Sequence, residues 1–363
     1  MRSLFRLTLL AATALLAGCL TVPERPAASV AAPQPNLAAG RAAYDRGEDA
    51  KALPLLLPAA EAGNRAAQFM VGRIYTRNGG VPVDVQRSIH WYERAVAQGA
   101  YQAANNLGII YRFGQGVPVD MTKAAHYFRM AADGGMANGC YMLGVHLEQG
   151  QGVEKDLREA LHWYEQADTA KDKNTLNHET RRDLGTRLEL ARLRLQADEG
   201  DPRAMMSLAE WYAGGGSHLG KNVNEATRLR IAAAEVGYAP AQVMAGESLV
   251  FGVGAPKDLK KAYAFFEEAA NGGNPQAMVW MAQMNNGHLG FPRNDKAAIK
   301  WLNAAIALNH APAMEAMAGA YENGLYGQKR DPAKASQWRE RAAKQREADE
   351  KREEQQRQAQ RAG

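Results

Sequence analysis

Three histidines, His90, His126 and His162, recur at 36-residue intervals, each directly before an aromatic residue. Such regularity could build a metal ladder. Zinc, however, needs nitrogen ligands about 2.0 Å away, whereas equivalent points on neighbouring packed helices lie about 10 Å apart. No further ligand accompanies the histidines, so repeated helix-surface side chains are expected. Gly114/Gly116, Gly150/Gly152 and Gly252/Gly254 could suggest phosphate-cradling loops. They lack a third glycine and a P-loop lysine, and they fall between helical segments, whereas the nucleotide fingerprint follows a strand. Ser217 and His218 stand in a turn without an evident acid, and neither a nucleophile elbow nor a His-Glu-x-x-His motif occurs. Cys140 lies two residues before the Met142-Leu143 step of its helix, a packing position that predicts a buried structural thiol. No catalytic residue, metal ligand or cofactor is therefore expected.

The elements carrying these residues recur as well. Gly72, Gly108 and Gly144 are 36 apart, and Ala209, Gly246, Ala282 and Ala318 follow at steps of 37, 36 and 36. Each stands after an apolar residue and is usually followed three positions later by Tyr75, Tyr111, Leu147, Tyr212, Leu249 or Tyr321, a spacing that marks one helix face. A glycine-rich turn ends at Asp84, Asp120, Asp156 or Asp258, which read as helix N-caps. The second helix aligns Ala124, Ala160, Ala226, Ala262, Ala298 and Ala335. Three positions beyond them stand Tyr127, Trp163, Leu229, Phe265, Trp301 and Trp338, with Trp91 at the same place in the first full repeat. A glycine inside a helix costs about 1 kcal/mol relative to alanine, so its recurrence at one phase predicts close backbone approach. Each unit is thus two amphipathic helices that bury their apolar stripes by stacking on the next pair.

The succession Leu-Gly-x-x-Tyr, Gly-x-Gly-Val, Asp, Ala-x-x-Trp and Ala-Ala resembles the Sel-one-like repeat, a relative of the tetratricopeptide repeat. It covers residues 64 to about 169 and 201 to about 345, with a shorter hairpin at 37–63. The resemblance implies an all-α fold, a right-handed α-solenoid of helix-turn-helix Sel-like repeats. The pattern departs at Asn285 and Asn294, which replace the tyrosine and the aspartate, and in the irregular turn Gly214 to Gly220. The expected organisation is N-terminal repeats over 37–169, an insertion over 170–200, C-terminal repeats over 201–345 and a charged tail over 346–363. Within the insertion, Leu176 to Glu199 reads as one long charged helix with Leu184, Leu188, Ala191 and Leu195 on its apolar stripe, either a hinge or an added packing helix. Toward the end, Glu340/Lys344, Glu347/Lys351 and Glu353/Arg357 have the spacing of helix-supporting pairs, with no apolar stripe; a solvated tail is the simpler reading.

Residues 1–18 combine Arg2 and Arg6 with an apolar run too short to span a bilayer, the make-up of an export signal. Leu16-Ala17-Gly18-Cys19 resembles the lipobox of bacterial lipoproteins, which implies cleavage before Cys19, its acylation and anchorage in a lipid bilayer. Leu20 is not the aspartate of inner-membrane retention, so the resemblance implies the periplasmic face of the outer membrane. Residues 19–36, with four prolines, read as a tether reaching about 55 Å. Cys140 is then the only remaining thiol, so no internal disulfide can form. The net charge of +5 sits mostly at the ends, since the leader and the last 25 residues each hold a net +2. A nucleic-acid-binding face is not supported.

In tetratricopeptide solenoids the first helix of each unit lines a concave groove. By that phase the exposed groove positions are Phe69, Arg73, Arg77, Gln102, Asn105, Arg112, Asn138 and Tyr141 in the N-terminal half. In the C-terminal half they are Met206, Glu210, Glu247, Gln283, Asn286, Glu315 and Glu322. The groove would run from basic and aromatic to acidic, suited to orienting an extended partner; a merely solvated helix face is the alternative. The resemblance implies a non-enzymatic protein–protein interaction scaffold with envelope proteins as partners. Lipobox, proline tether and repeat array together are similar in architecture to the scaffold lipoprotein of alginate-type exopolysaccharide secretion, which implies an outer-membrane porin as a further partner.

Overall fold

The computed structural model describes residues 35–362 apart from Ser217 and His288. The expected leader, the lipobox with Cys19 and nearly all of the tether lie outside the described residues. The described chain is all helical, with seventeen α-helices, one 3₁₀ turn and no strand. None of these helices is long and apolar enough to cross a membrane.

The chain divides into two compact units. The first contains α1 (Pro35–Asp45), α2 (Asp49–Glu61), α3 (Arg65–Ile74) and α4 (Val85–Val96). Helix α1 begins inside the span expected to be tether; the fixed φ of proline suits an opening helical turn. The unit's core gathers Ala43, Ala52, Leu56, Ala59, Ala67, Val71 and Ile74, all nearly inaccessible.

The second unit begins with the hairpins α5 (Tyr101–Phe113) with α6 (Met121–Asp133) and α7 (Ala137–Gln149) with α8 (Leu157–Thr169). A single long helix, α9 (His178–Asp198), packs against both α8 and α10. Four hairpins follow: α10 (Pro202–Gly214) with α11 (Val223–Glu235), α12 (Ala239–Phe251) with α13 (Leu259–Asn271), α14 (Pro275–Met284) with α15 (Asp295–Ala307), and α16 (Ala311–Asn323) with α17 (Pro332–Ala362). Hairpins pack one on the next, α6 on α7, α11 on α12, α13 on α14 and α15 on α16, giving the tandem stack of an α-solenoid. On α9 the buried residues are Leu184, Leu190, Ala191 and Ala197. Leu188 and Leu195, expected on its stripe, are only half-buried, because α9 is wedged between two neighbours and has no single apolar face.

One hydrogen bond recurs in the seven hairpins from α3–α4 to α16–α17. The capping residue donates its N–H to the carbonyl three residues past the helix glycine or alanine: Asp84 to Tyr75, Asp120 to Tyr111, Asp156 to Leu147, Asn222 to Tyr212, Asp258 to Leu249, Asn294 to Asn285 and Asp331 to Tyr321, at 2.8–3.1 Å. The same residues then accept from the N–H three positions on, at 2.9–3.0 Å, which stabilises each second helix at its first turn. Asn294 does this as Asp258 does, so the asparagine there keeps the cap.

The helix glycines have a different reason than backbone approach. A Cβ on Gly72, Gly108, Gly144 or Gly246 would lie 2.5–2.6 Å from the ring of Tyr92, Phe128, Tyr164 or Phe266. The occupant is therefore a side chain of the second helix, one position past the aromatic read as its marker. In the remaining hairpins that position holds Arg230, Leu302 or Arg339, and the first helix carries Ala209, Ala282 or Ala318. Close backbone approach occurs elsewhere. Gly139 lies against the backbone of Ala131 and Ala132, and Gly152, at φ +71°, leaves its Cβ position filled by the Met121 carbonyl of the preceding hairpin.

Candidate interaction surface

In the first unit, Arg73 projects from α3 with its guanidinium 6.0 Å from the rings of both Tyr44 and Phe69. It is exposed, whereas Phe69 is half-buried. Arg77 departs from the expectation of an exposed groove residue. Its Nη2 donates to Asp49 Oδ1 at 2.9 Å and its guanidinium lies 4.3 Å from the Tyr44 ring. Asp49 is 1% exposed, and a buried carboxylate requires a partner. Arg77 is that partner, so its charge is already committed within the fold.

In the second unit the phase reading placed Asn105 and Tyr141 on an exposed face, yet both are buried. Asn138 donates to Asn105 Oδ1 at 2.7 Å, tying α7 to α5. Tyr141 is covered by α9, where its hydroxyl donates to Asp183 Oδ2 at 2.5 Å. Around this contact stands a polar cluster joining α7, α8 and α9. Arg187 of α9 donates through Nε to Asp183 Oδ2 and through Nη1 to Glu148 Oε2 of α7, both at 2.6 Å. Arg194 donates to Glu148 Oε1 at 2.9 Å, and the Tyr164 hydroxyl of α8 to Glu148 Oε2 at 2.7 Å. His218 Nε2 lies 3.1 Å from Asp183 Oδ1, so this histidine does have an acid beside it.

Burial pushes the Tyr141 hydroxyl up to about 12, with the hydrogen bond to Asp183 acting the same way. Burial likewise raises Tyr164, helped by the neighbouring Glu148 charge. For Glu148 burial opposes ionisation, but Tyr164, Arg187 and Arg194 together outweigh it and hold the carboxyl below its usual range. Asp183 is lowered by the same balance, against Tyr141, Arg187 and His218. Arg112, on α5, is half-buried and lowered by burial, with Arg187 adding repulsion and Tyr141 opposing it.

Of the C-terminal positions, Met206 and Asn286 are buried, contrary to the phase reading. Met206 packs among the apolar residues of the C-terminal hairpins. Glu210 and Gln283 are exposed. Glu210 lines, with Glu189, Ser207, Trp211 and Gly214 to Gly216, an open cavity of about 480 Å³. Glu247 accepts from Trp280 Nε1 at 2.9 Å, and Trp280 is stacked on Phe266 with centroids 5.0 Å apart. Glu315 pairs with Arg346 at 2.5 Å and Glu322 with Arg339, so α17 neutralises the last two acids of the expected groove.

His90, His126 and His162 are exposed and meet the adjacent Trp91, Tyr127 and Trp163 edge-on at 5.2–5.4 Å. Among the described residues no group of three or more His, Cys, Asp or Glu is placed to hold a metal ion. Cys140 is free and buried, and burial pushes its thiol up to about 11. Sequence reasoning found Tyr141 and Arg112 and singled out His218 without its acid, but missed Glu148, Asp183, Arg187 and Arg194. The available signal was narrow: Asp183 and Arg187 are one turn apart beside the apolar Leu184.

The Sel1 repeat family model matches residues 65–99, 102–136, 137–167, 202–238, 239–274, 275–310 and 311–346. Among solved structures the chain is similar to a protective antigen of uropathogenic Escherichia coli strains displaying an SLR fold, at 24% identity and a TM-score of 0.39. That match covers 85% of this chain and 61% of the antigen's length. A Sel1 repeat protein from Oxalobacter formigenes is 27% identical over 74% of this chain and 96% of its own, with a TM-score of 0.35. An immunity protein from Pseudomonas aeruginosa is 18% identical over 69% of this chain and 83% of its own, with a TM-score of 0.24.

Proposed function

The chain belongs to the Sel1 repeat family, whose members typically mediate protein–protein interaction, and we propose that it is a non-enzymatic scaffold held by lipid at the periplasmic face of the outer membrane. The observation that carries the scaffold role is the division of labour on the first helices. One face holds the glycine or alanine that the second helix packs against, while Arg73, Glu210 and Gln283 stand exposed beside it. Phe251, at the end of α12, is 61% exposed against the edge of Trp280. Side chains unused by the fold are what a partner can read.

The anchor rests on the sequence Leu16-Ala17-Gly18-Cys19 behind its apolar run, and the envelope proteins proposed as partners follow from that address. A second reading, a scaffold in alginate-type exopolysaccharide secretion with an outer-membrane porin as partner, is favoured by the order of lipobox, proline tether and repeat array.

The test is periplasmic crosslinking in the native cell, purification through a tag placed after Gly363 and mass spectrometry of the captured proteins. Envelope proteins enriched over a lipidated control support the scaffold; a porin with polysaccharide-synthesis proteins selects the second reading. No enrichment rejects both. Replacing Cys19→Ala should move the protein out of the outer-membrane fraction, and an unchanged distribution would reject the anchor.

A further inference from the structure

Within the cluster on α5, α7, α8 and α9 the charges do not balance. Glu148 is satisfied by Arg187, Arg194 and Tyr164, and Asp183 by Arg187, Tyr141 and His218. Two carboxylates therefore face Arg187, Arg194 and Arg112, and Arg112 receives none of the compensation. Its Nη1 is buried without a hydrogen-bond partner. The adjacent His146 supplies no negative charge: its Nδ1 is 2.7 Å from the Gln151 carbonyl, its Nε2 is buried without a partner, and burial favours its neutral form. A half-buried guanidinium next to a second guanidinium, with no carboxylate to compensate it, is costly. Water could fill a donor site, but it cannot neutralise the charge.

We infer that Arg112 is the seat for an acidic side chain of the partner, a reading that rests on the interaction surface proposed above. Its surroundings specify more than an anion. The Arg112 guanidinium lies 5.5 Å from the Phe113 ring, and Phe113 is 59% exposed. The ring holds the guanidinium and offers apolar surface beside it. The complementary segment carries an aspartate or glutamate next to an apolar residue. One missing negative charge matches a carboxylate, and the guanidinium fork matches its two oxygens.

The test uses the full chain and three small probes: a doubly capped Leu-Asp-Leu peptide, its Leu-Asn-Leu counterpart and a Leu-Leu peptide with a free C-terminal carboxylate. Binding is read from the Arg112 Nε–H resonance, and from other perturbed resonances in the variants; melting temperature is read in parallel. The aspartate peptide should bind the wild type about tenfold more tightly than the asparagine peptide, the worth of one charge-assisted pair. Arg112→Gln should bind both equally weakly, and Arg112→Lys should fall between. Without peptide, Arg112→Gln should melt at or above the wild-type temperature, since it removes an uncompensated charge; a lower melting temperature would assign Arg112 a structural role and overturn the inference. Equal binding of the two capped peptides, no binding, undiminished binding by Arg112→Gln, or selection of only the free C-terminus would also overturn it. If envelope proteins are still captured in such a case, the scaffold reading stands while this assignment falls.

Discussion

Inside hairpins α5–α6, α7–α8 and α12–α13 an aromatic ring lies on a helix glycine, whereas between α7 and α9 two carboxylates are clasped by two guanidiniums. Tyr164 belongs to both regions: its ring covers Gly144 and its hydroxyl reaches Glu148. The contrast separates what a repeat can repeat from what it cannot. Shape complementarity between glycine and ring can be copied at every unit, because it needs only two residues at a fixed spacing. Where the single helix α9 interrupts the alternation, the contact is unique and polar groups define it. An ion pair specifies its partner more narrowly than an apolar contact does, at the expense of desolvation.

The largest effect expected from breaking this contrast is at Glu148. Glu148→Ala takes the acceptor from Arg194 and one of the two acceptors from Arg187, both largely buried, and should cost about 3–5 kcal/mol in denaturant unfolding. A loss below about 1 kcal/mol would mean that α9 is held by its leucines alone. The pH dependence sharpens the same point. Because the Glu148 and Asp183 carboxyls are lowered in the fold, their contribution is complete above the ordinary carboxylate range and is lost as pH falls through the folded values. Glu148→Gln should therefore be less stable than wild type at neutral pH, with the gap closing in melts below about pH 4.

The glycine contact should come next. Gly246→Ala forces a methyl to 2.5 Å from Phe266, for about 1–3 kcal/mol of overpacking. Adding Phe266→Leu should recover most of it, since that pair reproduces the natural Ala282 and Leu302; a double-mutant cycle with no coupling would show that the ring is not the reason for the glycine. Asp258→Ala should cost about 1 kcal/mol through loss of one helix cap, measured by thermal unfolding. Smallest of all, Glu322→Gln should leave the melting temperature unchanged within error, because its pair with Arg339 is half exposed.

Much of the fold was legible in the sequence because period and caps are local: Asp84, Asp120, Asp156 and Asp258 could be assigned from spacing alone. Which ring meets the glycine was not. Trp91-Tyr92, Tyr127-Phe128, Trp163-Tyr164 and Phe265-Phe266 are neighbours about 100° apart on a helix, and both members are apolar enough to face inward. The polar cluster was hidden for another reason. Glu148 stands 39 residues from Arg187 and 46 from Arg194, pairs without any period to betray them, and the charges of α9 read as solvent-facing. Asn105 and Tyr141 were therefore placed on an open face, although Asn138 joins the first to a neighbouring helix and α9 covers the second.

The bond between each capping N–H and the carbonyl near the end of the first helix closes the loop between them at its two ends. Tyr212 to Asn222 and Tyr321 to Asp331 enclose one more residue than Tyr75 to Asp84 does, yet the closing distances are 2.8 and 2.9 Å against 2.9 Å. The scaffold thus carries built-in splice points. A foreign epitope, a protease site or a fluorescent reporter inserted between those ends should lengthen a surface loop without altering the register of the helices on either side, and natural lineages can diverge in length there by the same route.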